Sequence, residues 1–516
     1  MKNRIWTGVF LAFLFLVLQS CGERKGDLPF TILIPVEANT LDPHFASSTI
    51  EWSILMNIFD SLITRRDDMR LEPALAERWE IDDSKKVWTF FLRKGVKFTN
   101  GEPFDARSVK FTFDRMRDEK LRPRTTVPRR IALDRVEIVD DYTVRIHTIR
   151  PVATLPIWLV NAFMLPPRHY ATQSSKEVSH RPIGTGPYKL KKWVKDDFIR
   201  MEANADWWKG APKIKAAIWR PVPESSARLA ELETKAADII MNVIPDQIRI
   251  LEKRKRGMRI KGVAGGRRIY IGIRSDYGVF SDRRVRQALN YAVNFNLIAK
   301  YVLLGNGDRL AVIVNPPNHD PSIRAYPYDP KKAKALLSEA GIRDTNGDGD
   351  LEAMGQPISV KLDIPANRYL KGKEIAQSVA ADLRAIGMNV EVNPLELSVF
   401  LANRRKKTLS PLYFHGFSSA FEAELDLGVL RPDLFANLTG WKNPEFIKNY
   451  KRLGQTFEPG ERKTISFRMQ KIVHEDAPWI FLWNQYDFYG LSARVKWSPR
   501  PDERIYLPSI ELMKDN

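Results

Sequence analysis

One cysteine, Cys21, stands in a chain of 516 residues, and it constrains the fold more than any other feature. A single thiol forbids an intrachain disulfide and any zinc cluster built on several cysteines. The chain must therefore hold together by burying apolar surface. It has the means: 44% of its residues are hydrophobic, including 26 Phe and 13 Trp, in a length that gives about three units of ~150 residues. Disorder is excluded for the bulk of it. The unusual quantity is charge, since 82 Lys and Arg against 62 Asp and Glu give +20. Such an excess fits a solvated basic surface, or binding to nucleic acid, membrane or anions.

The position of the cysteine indicates a compartment. Lys2 and Arg4 precede the apolar run from Val9 to Leu18, which has the length of a signal-peptide core and falls short of the ~20 residues that span a bilayer. Leu18-Gln19-Ser20-Cys21-Gly22 resembles the bacterial lipoprotein box, in which the signal is cut before the cysteine and that cysteine is lipidated. Residues 1–20 thus read as a lipoprotein signal peptide and Cys21 as the lipidation site, against a spare thiol in a simple secretory signal or an uncleaved anchor. Removing Lys2 and Arg4 leaves 80 cationic against 62 acidic residues, or +18. The basic excess belongs to the folded part.

Strand and helix patterns alternate beyond the signal. Thr31–Pro35, Val87–Leu92 and the pair Val136–Ile138 and Val144–Ile146 read as strands, the last two joined by a turn at Asp140-Asp141-Tyr142. Ser281 is placed to cap a helix with Val285, Ala288, Leu289, Ala292 and Val293 on one face, its arginines facing solvent or capping carboxylates. Asp329 and Pro330 open a second helix that Gly341 stops, and Ile375, Val379, Leu383 and Ile386 mark a third, ended by Gly387 and followed by alternating Met388, Val390 and Val392. These patterns predict an α/β protein.

Several segments, taken together, resemble the extracytoplasmic solute-binding proteins (family 5) of peptide and nickel ABC importers. They are Leu41-Asp42-Pro43-His44, Leu71 to Trp79, Leu92 to Phe98 and Gly101 to Ala106. Gly184-Thr185-Gly186-Pro187-Tyr188, Asn204 to Trp208, Asp282 to Leu289 and Tyr328-Asp329-Pro330 follow in the family's order. Each also has a plain physical reading: Leu75, Trp79, Trp88, Phe90 and Leu92 as core, and Gly184, Gly186 and Pro187 as a turn.

The resemblance implies a two-lobed periplasmic-binding-protein-like fold of the large three-domain type. Residues 21–45, 180–268 and 485–516 would form the core of lobe I, 46–179 an inserted domain and 269–484 lobe II. It implies a peptide or peptide-like small solute as ligand, an ABC permease with separate ATPase subunits as partners, and a monomer tethered to the membrane by lipid, periplasmic or otherwise extracytoplasmic. Nickel chelates, opines, oligosaccharides and polyanions stand as other ligands. Family members pair a peptide's amino group with an aspartate after a Gly-Trp-like segment. The matching stretch here is His415-Gly416-Phe417-Ser418-Ser419-Ala420-Phe421, with no carboxylate in that place. Glu422, Glu424 and Asp426 follow, either reaching in to the ligand from further along or, as the favoured expectation, forming an exposed, acidic helix start. Candidate ligand residues are Arg368, whose planar fork suits a carboxylate, Tyr369, His415, Phe417, Ser418 and Ser419.

No metal and no cofactor is expected. Asp344 to Asp350 match half of a calcium loop, but Gly355 occupies the position of the closing glutamate, so a polar turn is the expectation. Nucleotide, nucleophile-elbow and zincin motifs are missing from the sequence. A binding protein is expected in place of an enzyme, with a hydrolase of cell-surface polymers as the remote alternative. Basic residues interleave with acids and form no stripe with aromatics, which argues against nucleic acid.

Overall fold

The computed structural model describes residues 29–248, 257–316, 318–366, 368–434 and 437–513. The signal segment and Cys21 lie outside them. Two strands organise the molecule, Arg259–Ile273 with 15 residues and Trp479–Leu491 with 13. At about 3.3 Å per residue the first spans roughly 50 Å, between two and three times the length of a common strand.

They sit at the centre of a ten-stranded sheet. On one side follow Leu412–Ser418, Ser359–Pro365 and Asn389–Leu395; on the other follow Ile239–Ile240, Phe30–Ile34, Ala216–Pro221, Phe198–Ala203 and Tyr188–Val194. The boundaries expected at 268/269 and 484/485 both fall inside the two long strands.

The long strands pair antiparallel in two stretches. Arg259–Ala264 faces Leu491–Tyr486, and Arg268–Gly272 faces Asn484–Trp479, with the register broken between Ala264 and Arg268. The break carries Gly265 and Gly266, and glycines within a strand commonly mark a bulge or a close approach. A Cβ on Gly265 would lie 2.1 Å from Asp487 Oδ2, and one on Gly266 would lie 3.0 Å from the Phe421 ring. Gly266 also ties the break to two loops, its N–H donating to Pro501 O at 2.7 Å and its carbonyl accepting from Ser419 N at 2.8 Å. The break separates the two paired stretches of the long strands.

Buried apolar residues gather accordingly. One group packs Phe30, Ile32, Trp219 and Tyr489 in lobe I. Two groups in lobe II centre on Ile271, Leu289, Val379 and Phe414, and on Tyr413, Phe446, Met469 and Phe481. A further core, from Leu62 to Met164, surrounds a separate antiparallel sheet of Ala76–Ile81, Val87–Leu92, Thr143–Thr148 and Leu133–Asp140. Leu75, Trp88, Phe90 and Leu92 are buried there and Trp79 packs against them.

The recurring segments are structural ties. Asp42 is fully buried and takes two hydrogen bonds from Arg115 on helix Ala106–Met116, at 3.1 and 2.7 Å. His44 Nδ1 lies 2.9 Å from the same guanidinium. Asp60 Oδ2 accepts from Thr185 Oγ1 and Trp208 Nε1, each at 2.9 Å, which joins the Gly184–Tyr188 and Asn204–Trp208 segments. At Gly186 a Cβ would lie 2.5 Å from the backbone carbon of Ile58.

Two helix readings are corrected. Asp282, in place of Ser281, caps helix Arg283–Ala292, accepting from Arg284 N at 2.8 Å, while the Ser281 hydroxyl turns back to Gly278 O. Arg284 pairs with Asp282, but Arg286 is buried, donating to the carbonyls of Asp476, Phe280 and Ser281. Spacing alone did not reveal a cation that satisfies carbonyl groups inside the lobe. Among the described residues no helix is long and apolar enough to cross a membrane.

Candidate functional site

A cavity of about 380 Å³ opens at the hinge, within the ~300–1,000 Å³ common for small-ligand sites. Val312, Val314, His319 and Phe421 line it from lobe II, Ala264, Asn484 and Tyr486 from the crossing strands, and Met69 and Pro501 from the opposite side.

The loop after strand Leu412–Ser418 forms one wall, and a buried carboxylate shapes it. Asp426 accepts from the Ser419 hydroxyl at 2.6 Å and from Ala420 N at 3.0 Å. Ser419 Oγ accepts in turn from Phe421 N at 2.7 Å, and Phe421 takes a left-handed backbone conformation, φ 54°. Glu424 and Asp426 are buried in helix Ala423–Leu427, which corrects the expected exposed acidic start. Glu422 and Glu424 pair with Arg462 at 2.7 and 3.2 Å.

Arg268, completely buried, lies 3.7 Å from Asp426, an electrostatic contact longer than a hydrogen bond. Its Nη1 donates to Gly266 O, but Nε and Nη2 have no hydrogen-bond partner among the described residues. Burial lowers this guanidinium to about 10 against the pull of Asp426, and the same burial raises Asp426. Burial lowers the His319 imidazole, with Asp320 opposing and Arg268 and Arg324 adding repulsion.

From the inserted domain, Arg65 Nη2 donates to Ala420 O at 2.7 Å, and its guanidinium lies 5.9 Å from the Phe421 ring. Burial draws Arg65 down to about 10, with Asp502 opposing and Arg504 adding repulsion. Arg267 pairs with Glu503 at 3.1 Å and Arg500 with Asp67 at 2.9 Å. Lys371 of lobe II meets Asp246 of lobe I at 2.8 Å. The lobes touch in this conformation through cationic side chains from both sides.

The expected ligand residues fall in two groups. Phe417 sits 6.0 Å from the Arg268 guanidinium, Ser419 belongs to the Asp426 network, and Ser418 is exposed. The second group lies further along the strand. Tyr369 is buried, its hydroxyl accepting from Gly416 N at 2.9 Å, and the exposed Arg368 lies over its ring at 5.6 Å. His415 is buried 3.4 Å from the Tyr270 hydroxyl, and burial, with Arg404 and Arg368 nearby, lowers it to about 3. It is neutral at physiological pH. Among the described residues His415 joins no cluster of potential metal ligands; the one such group is Asp344, Asp348 and Glu352. There the Asp344 carboxylate accepts from Gly347 N and Gly349 N, as in a polar turn.

Sequence reading missed Arg65, Arg268, His319 and the role of Asp426. The one local signal was Gly265-Gly266 inside a strand pattern, followed directly by Arg267-Arg268.

The geometry supplies hydrogen-bond donors and a shaped enclosure, which suit binding. Bacterial extracellular solute-binding proteins, family 5, match residues 70–424. The glutathione-binding protein GsiB of Pectobacterium atrosepticum is 29% identical over 459 residues, 86% of each chain. That of Shigella boydii is 28% identical over 483 residues, 90% of each. NikA of Brucella suis, solved with Fe(III)-EDTA, superposes with a TM-score of 0.85 at 22% identity, covering 94% of this chain and 100% of that one. The oligopeptide-binding protein AppA of Bacillus subtilis, solved with a nonapeptide, gives 0.75 at 23%, covering 94% and 99%. The fold is the two-lobed, multi-sheet fold of periplasmic binding proteins, and with a family match over most of its length the chain belongs to the bacterial extracellular solute-binding proteins of family 5.

Proposed function

We propose that this chain is the lipid-tethered, substrate-binding component of an ABC importer that captures a peptide-like solute bearing carboxylates and delivers it to a membrane permease. The observation that carries this reading is the cavity at the crossing strands, lined from both sides, with Arg268 buried outside its lining and lacking a partner at two guanidinium nitrogens. Asp426 is engaged by Ser419 and Ala420, so it is poorly placed to receive a peptide's amino group. Arginine forks bind carboxylates through paired, charge-assisted hydrogen bonds. The names of relatives support this chemistry: glutathione, a tripeptide with two carboxylates, is the ligand named for GsiB. The ligand stabilises the closed form because only closure brings both walls onto it.

A direct metal site is the weaker reading, since His415 meets a tyrosine hydroxyl and no second metal ligand. Phe417, Ser418 and Ser419 are the expected residues nearest the hinge cavity, with Arg368, Tyr369 and His415 as a second subsite along the strand. Cys21 carries the anchor in this proposal, and Cys21→Ala should release the protein from the membrane fraction. Native mass spectrometry of the purified protein tests the ligand. A bound mass in the range of a short acidic peptide is expected. A bound nucleotide or a purely apolar ligand would sink the reading.

A further inference from the structure

We propose a second binding site, for a small solute bearing carboxylate or phosphate oxyanions, between the inserted domain and lobe II. A cavity of about 570 Å³ lies there, separate from the hinge cavity and larger than it. Helix Ala423–Leu427 stands between the two. Its Asp426 serves the Ser419 loop, while its Glu424 lines the second cavity.

The charge in this cavity is unbalanced. Arg129, Arg130 and Arg150 enter from the inserted domain and Arg431 from lobe II. Arg129, Arg130 and Arg150 form no ion pair with a carboxylate among the described residues, and Arg150 acts on Glu424 only at longer range. Arg130 Nε is buried without a hydrogen-bond partner, and the guanidinium packs over Trp158 at 5.2 Å, which fixes its plane. The lobe II acids are already engaged: Asp433 pairs with Arg431, and Glu424 with Arg462. Burial pushes the Glu424 carboxyl up, with Arg462 and, at longer range, Arg150 opposing.

The inserted-domain arginines thus face this space without an ion-paired carboxylate, while Arg431 on the opposite wall is held by Asp433. An oxyanion there would gain charge-assisted, forked hydrogen bonds from several arginines, against a floor that includes Tyr450 and Phe446. It would bridge two parts that also meet through Trp88 and Phe457, 6.2 Å apart, through Ala153 N and Gly454 O at 3.5 Å, and through Arg65 and Ala420 O at 2.7 Å. By binding only the closed arrangement it would favour closure without occupying the solute cavity.

The test uses the full chain with citrate and inorganic phosphate as probes, read by calorimetry and thermal melting against sodium chloride at equal ionic strength. At least one probe should bind saturably and raise Tm above the chloride control. Binding of citrate alone assigns the site to carboxylates, and of phosphate alone to phosphates. Arg130→Gln should weaken binding at least tenfold. Arg150→Gln, at an exposed position, should weaken it about threefold and serves if Arg130→Gln fails to fold. The proposal is overturned if neither anion exceeds chloride, or if the arginine variants bind as tightly as the original chain.

Discussion

Two buried Arg–Asp pairs, one in each half of the molecule, differ in completeness. In lobe I, Asp42 and Arg115 form two hydrogen bonds at 2.7 and 3.1 Å, with His44 beside them. In lobe II, Arg268 and Asp426 stand 3.7 Å apart, and two guanidinium nitrogens of Arg268 lack a hydrogen-bond partner. A saturated pair fixes one arrangement; an unsaturated one, next to a hinge, keeps donors in reserve. The first belongs to the framework; the second is the pair to which we assign a role in the proposed solute site.

Removing one partner is the strongest way to break this contrast. Asp42→Ala leaves Arg115 buried and uncompensated, and should cost about 3–5 kcal/mol in denaturant unfolding. Gly186→Ala comes next, because the new methyl meets the Ile58 backbone, which cannot swing aside; about 1–3 kcal/mol is expected by the same measurement. Arg268→Met should cost less, about 1–2 kcal/mol, since Asp426 keeps two hydrogen bonds and can take up a proton. A loss for Arg268→Met as large as for Asp42→Ala would erase the distinction.

The smallest expected effect lies at the hinge and depends on pH. Asp487 is buried with Oδ2 lacking a partner, and burial together with Glu503 pushes it up to about 7. An unfolded aspartate titrates near 3.9, so the folded chain holds a proton that the unfolded chain has released. Stability from this group is complete below pH ~4 and is lost as pH rises through about 7. Asp487→Asn should therefore melt about 1–2 °C above the original chain at pH 8, with the gap closing towards pH 4. A constant gap would remove Asp487 from the hinge electrostatics.

The same contrast explains what the sequence revealed. Strand Val87–Leu92, the helix opened by Asp329 and Pro330, and the glycine stop at 387 were legible because caps and periodicity are local. The ordered motifs showed the family, and their work proved to be ties such as Asp42 to Arg115, across 73 residues. Arg268 and Asp426 escaped because nothing near either residue announces the other. Burial of Glu424 and Asp426 was misread because five residues hold too little periodicity to show which face is covered. Pairing across the sheet set their environment.

The central claim is that carboxylate-bearing peptide-like solutes bind at the hinge through Arg268. Calorimetric titration of glutathione into the original chain and into Arg268→Met tests it most directly. Saturable binding that weakens at least tenfold in the variant, with Tm nearly unchanged, is the predicted result. Equal affinity in both proteins, or binding by neither, would contradict it.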